Sequence, residues 1–177
     1  MFMCRFILFV ILSVLIPPAT SSSQVPPGST QTSLAVLLSS DRTSGKISDS
    51  IVLTIMVKNV SSAPIFLYGK LDWGPSSSLF LFVEDEKGKN VPMGFFEDAL
   101  PPLPSKKDKT LFIKLNPDHF FGTTRVDKLS ELVPKPGIYY FQIYYHGPVP
   151  KSFAAGSPAW GTEDPPILSN RLKIEVQ

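Results

Sequence analysis

The chain has 177 residues, with 17 Lys and Arg against 15 Asp and Glu, 18 prolines, 11 glycines and a single cysteine. The near-even charge balance, with no basic stripe interleaved with aromatics, leaves nothing to hold a nucleic acid. One cysteine, Cys4, excludes a disulfide framework and any cysteine-based metal site.

In chain order, Arg5 precedes an apolar run from Phe6 to Ile16, which gives way to Pro17, Pro18 and small polar residues. This is the three-part order of a secretory signal peptide, expected over residues 1–23, with cleavage between Ala19 and Gln24. A retained anchor is the rival reading, but the run is roughly half the ~20 residues a spanning helix needs. No membrane insertion is therefore expected after cleavage, and the mature protein is expected in the periplasm or outside the cell. Cys4 leaves with the signal, so the core must hold the fold without disulfides. Residues 24–32 belong to a stretch rich in Ser, Thr, Pro and Gln and read as a flexible leader. Residues 33–177, roughly 150, suffice for one domain.

Within that domain, apolar and polar residues alternate with the period of two that strands require, and no long segment shows helical periodicity. The expected strands are Ser33 to Ser40, Ile51 to Lys58, Pro64 to Lys70, Leu79 to Glu84, Asn90 to Met93, Lys109 to Leu115, Gly137 to Tyr145 and Asn170 to Val176. Ile51, Leu53, Ile55 and Val57 share one face of the second strand, and Gly88 closes a hairpin where positive φ costs least. Between the sixth and seventh strands, Thr123 to Val133 reads as a short helical turn. About eight strands joined by Pro- and Gly-rich connections predict an all-β fold, an antiparallel two-sheet sandwich. A barrel is the alternative.

The stretch "LVPKPGIY" leads a leucine through proline and glycine to a tyrosine entering a strand. It resembles the tyrosine corner of immunoglobulin-like sandwiches, and Tyr139 is the residue that matches; the resemblance implies a buried ring and a hydroxyl bonded to upstream backbone. Alternation then sets Tyr139, Phe141, Ile143 and Tyr145 on the core face and Tyr140 and Tyr144 on the other. "TIMVKNVSSAPI", "LFVEDEKGKNV", "PGIYYFQIYY" and "AWGTEDPPILSNRLKIEV" together resemble an exported bacterial immunoglobulin-like domain of uncharacterised type, over roughly Leu34 to Val176. The chain is also similar in outline to a small family of bacterial intracellular proteinase inhibitors, from which the export signal departs. Neither resemblance carries over a catalytic residue.

If eight strands reverse the chain in turn, alternate connections lie at one pole. Leu71 to Ser78, Gly94 to Asp108 and His146 to Leu168 would then meet, bringing together Trp73, Phe95, Phe96 and Trp160 within an acidic rim of Asp72, Glu97, Asp98, Glu163 and Asp164. Aromatic loops on a rigid sandwich make binding surfaces. The alternative is that the last connection folds back and buries Trp160. The same count sends His119 and His146 to opposite poles, so no two-histidine metal site is expected. Asp118 and His119 read as a proline-initiated turn, and Glu84, Asp85 and Glu86 as a solvated hairpin tip with calcium as the alternative. Asn59 to Ser61 formally matches a glycosylation acceptor.

No G-x-S-x-G elbow or acid–base constellation is present. The chain reads as a non-catalytic exported module that binds a protein or glycan partner, without a cofactor. The alternative is a protease inhibitor presenting "LPPLPSKK" or "HGPVPKSFAAGSPAWG"; an enzyme would need a metal or carboxylate pair that the sequence does not assemble.

Overall fold

The computed structural model describes residues 32–74, 76–92, 109–154 and 156–177. The expected export signal and nearly all of the leader lie outside these residues, as do Met93, Phe95, Phe96 and the segment Leu100 to Lys107.

Strand β3 (Ser50–Asn59) shows why the sequence folds this way. Ile51, Leu53, Ile55 and Val57 are wholly buried, while Val52, Thr54, Met56 and Lys58 on the other face remain partly accessible. β1 (Leu34–Ser40) pairs with one side of β3, from Leu34 opposite Asn59 to Ser40 opposite Leu53. β7 (Phe120–Lys128) pairs with the other side, from Lys58 opposite Phe120 to Ser50 opposite Lys128. The sheet β1-β3-β7 is thus antiparallel throughout.

The second sheet runs β2 (Ser44–Gly45), β10 (Leu172–Val176), β8 (Gly137–Tyr145) and β5 (Leu79–Asp85), with β9 (Ile167–Leu168) against the end of β8. Only β2 on β10 is parallel. The inward faces of both sheets interlock in one core: Leu34, Val36 and Leu38 with the β3 set on one side, Leu81, Phe141, Ile143 and Ile174 on the other. A short pair, β4 (Ile65–Tyr68) and β6 (Phe112–Leu115), completes it, with Leu67 and Leu115 buried. The fold is an antiparallel immunoglobulin-like sandwich, with β1-β3-β7 in one layer and β10-β8-β5 in the other. Antibody domains carry a disulfide cysteine two residues past the corner tyrosine. Here that position is Phe141, fully buried. An aromatic of this kind contributes about 1.5–3 kcal/mol by burial, against the ~2–4 kcal/mol of a disulfide.

Three expectations need correction. Thr123 to Val133 is not mainly helical: β7 runs to Lys128, and α1 is confined to Leu129–Leu132. Of the expected strand Asn90 to Met93, Asn90 bridges Glu84 and Val91 N donates to Val83 O, with no longer pairing among the described residues. Lys109–Leu111 is a 3-10 turn, and the strand begins at Phe112.

The physical reason for the first is that β7 is an edge strand with polar groups pointing inward. Phe121, Thr123, Arg125 and Asp127 face the core side, and Arg125 Nε donates to both Asp127 carboxylate oxygens at 2.8 and 2.7 Å. Inward charges on an edge discourage pairing with a second chain, but they erase the alternation that announces a strand.

Asn59 fixes the turn after β3. Its side chain is fully buried; Nδ2 donates to Ala63 O at 2.8 Å and Leu115 O at 2.9 Å, while Oδ1 accepts from Ser61 N at 2.9 Å. One amide therefore ties β3 to β6.

Candidate functional site

The register Leu79 opposite Tyr145, with His146 N donating to Ser78 O at 3.1 Å, brings the connections 71–78 and 146–166 to one end of the second sheet. Both indoles of these connections are largely covered. Trp73 lies half-buried against the core, and the Arg125 guanidinium covers its ring, 4.7 Å from the centroid. Trp160 is only 7% exposed. Its backbone N donates to Phe66 O, and Phe66 N donates to Pro158 O, each at 2.9 Å, so residues 158–160 run beside β4 as an added strand. Phe95 and Phe96 lie outside the described residues.

The long connection is packed on itself. Gly147 and Gly161 meet so closely that a Cβ on Gly147 would stand 2.6 Å from Gly161 Cα. Asp164 accepts from Gly161 N at 2.9 Å and from Lys151 Nζ at 2.6 Å, and Thr162 N donates to Val149 O at 3.1 Å. Val149, Ala154 and Trp160 are buried. These contacts hold the described part of the segment 146–161, and Leu100 to Lys107 lies outside the described residues.

The histidines sit at the same end, not at opposite ones. Asn59 N donates to His119 O, and Asn59 pairs with Leu34, which places His119 at the Leu34 end of the first sheet. The other end of β1 leads into β2, which joins the Val176 end of β10 and hence the Gly137 end of β8. Leu34, His119 and His146 thus share a pole. β7, inserted between the two histidines, breaks the alternation that had sent them to opposite poles. His119 Nδ1 lies 3.0 Å from Pro117 O, and His146 Nδ1 lies 3.4 Å from Gly147 O. No three His, Cys, Asp or Glu side chains converge among the described residues.

The acidic hairpin tip is committed to structure. Asp85 accepts from Lys87 N and Lys89 N at 2.9 Å, and Glu84 accepts from Arg171 at 2.7 Å. Arg171 also lies over Tyr140, 3.9 Å from the ring centroid. Tyr139 is 3% exposed, and its hydroxyl donates to Lys135 O at 2.9 Å.

Sequence reasoning missed a surface of another kind, the outer face of β1-β3-β7. The registers set Leu37, Met56 and Gly122 in one row, Lys58 and Phe120 in the row before it, Thr54 and Thr124 in the row after it, then Val52 and Val126. Phe120 is 64% exposed and Val126 65%. A Cβ on Gly122 would lie 2.3 Å from Ile55 O, so only glycine lets β7 approach β3 here. Beside it lies a groove of about 410 Å³, lined by Thr54, Ile55, Met56, Phe120, Gly122, Thr123 and Thr124. The β3 half of this face was legible as the second set of its alternation; the β7 half was hidden with the strand.

No protein-family model and no curated protein sequence matches the chain. Similar solved structures include a β-glucosidase from Erythrobacter marinus, 12% identical, covering 82% of this chain and 15% of that chain, with a TM-score of 0.39. They also include the CARDB domain of a Pyrococcus furiosus protein, crystallised in complex with di-metal ions, 10% identical over 81% of this chain and 91% of that chain, TM-score 0.39. The solution structure of the same domain gives the same identity and TM-score, with 94% of that chain covered.

Proposed function

We propose that this chain is an exported, non-catalytic binding module whose contact surface is the outer face of the β1-β3-β7 sheet. One observation carries the reading: large apolar side chains, Phe120 and Val126 foremost, stand exposed on a rigid sheet around a glycine-shaped groove. Exposed apolar surface of this kind marks contact sites. The described lining of the groove consists of threonine, apolar and glycine residues, a composition suited to contact. Export rests on the signal pattern at residues 1–23, and N-terminal sequencing of the mature protein tests it.

Amide chemical shifts test the surface. Labelled protein is titrated with solubilised envelope polysaccharide and, separately, with the secreted protein fraction of the source. Shifts concentrated at Met56, Phe120, Gly122 and Thr124 in either titration are expected. Silence at those amides in both would remove the reading.

A further inference from the structure

We propose that the groove beside Gly122 holds a neutral carbohydrate, one or two rings at a time, stacked on Phe120. The proposal rests on the binding-module reading and names the ligand class of the same surface. Three features of the groove point to it.

The first is charge. None of the seven lining residues is ionisable, and Lys58, opposite Phe120 in the register, is paired with Asp118 at 3.0 Å. An anionic or cationic ligand would shed its hydration here without a counter-charge. A neutral one would not.

The second is the alternation of surface chemistry. Thr54 and Thr124 stand directly opposite one another across β3 and β7, and their hydroxyls make no hydrogen bond to the protein among the described residues. Phe120, Met56 and Leu37 lie to one side of them. A sugar ring has the matching pattern, with an apolar C–H face for an aromatic ring and hydroxyls around its edge for the threonines. A purely apolar side chain would leave the threonine hydroxyls covered and without partners, at a desolvation cost for each.

The third is size and rigidity. The groove is shallow and open to solvent, and its volume of about 410 Å³ leaves room for one or two sugar rings laid along the strands. Gly122 sets the floor by backbone contact with Ile55 O, so the shape exists before the ligand arrives.

Titration of the mature protein with cellotetraose, mannotetraose and chitotetraose, with tetragalacturonate as the acidic control, tests this. At least one neutral tetrasaccharide is expected to saturate the shifts of Phe120 and Thr124, while tetragalacturonate does not. Phe120→Ala should weaken that binding by about tenfold or more, and Thr124→Val by about threefold, with the melting temperature of both variants unchanged. Failure of all three neutral probes up to ~20 mM, equal affinity for tetragalacturonate, or binding that survives Phe120→Ala would overturn the proposal. If the secreted protein fraction shifts the same amides while the sugars do not, the ligand class is wrong and the module reading stands; silence in every titration removes both.

Discussion

The two ends of β8 bury tyrosines equally well and treat their hydroxyls differently. At the Gly137 end, Tyr139 is 3% exposed and donates to Lys135 O. At the other end, Tyr145 is 1% exposed, and its hydroxyl has no partner among the described residues; nor do His146 Nε2 and Trp160 Nε1. Burial pushes both phenols above their ordinary pKa. Asp85 adds to the shift at Tyr139 and the Lys135 bond opposes it, while Asp164 adds to it at Tyr145. A four-residue corner turns a carbonyl toward the ring it encloses. A long connection supplies packing but no such partner. Apolar burial is non-directional and easy to satisfy, whereas a hydrogen bond needs one atom in one place.

The largest expected effect tests the loop end. Gly147→Ala forces a Cβ into the backbone of Gly161 and Trp160, and should cost about 3 kcal/mol in urea unfolding, a fall in Tm of roughly 10 °C. Gly88→Ala, in open space though at φ 76°, should cost about 1 kcal/mol by comparison. Alkaline pH sharpens the contrast next. The Tyr145 pKa is raised in the folded state, so its contribution is intact below the ordinary value near 10 and is lost as pH climbs above it. Stability should fall by up to ~1.4 kcal/mol per pH unit on this account, and Tyr145→Phe should flatten that limb.

At neutral pH the same pair of hydroxyl deletions should part in sign. Tyr139→Phe loses a made bond and about 1 kcal/mol, whereas Tyr145→Phe removes an unpaired group and should be neutral or stabilising by up to ~1 kcal/mol. Equal losses would show that both ends satisfy their tyrosines. The smallest effect lies between the ends. Arg171→Ala uncovers Tyr140 and releases Glu84, both near the surface, and should cost about 0.5 kcal/mol.

How far the sequence discloses the molecule follows from the same distinction. β3 and β8 are legible because every second residue is a large apolar one and each is buried as its alternation implies. β7 is not, because Thr123, Arg125 and Asp127 point inward, and Gly122 interrupts the outer face for a contact that only the folded backbone reveals. That one strand carries half of the groove and, standing between the two histidines, brings them to one end. The indoles show the opposite limit. Their shared connections could be counted, but nothing local to Trp160 announces that residues 158–160 will lie along β4. The Trp73 partner, Arg125, is 52 positions away on the strand that alternation did not reveal.

The amide of Asn59 gives the Asn-Val-Ser signal a direction in time. Once Nδ2 is spent on Ala63 and Leu115, no transferase can reach it, so a sugar could be attached only while the chain is still open. A chain so decorated would be barred from closing β3 onto β6. In a host that adds such sugars, the speed with which this turn shuts therefore decides how much of the product is native.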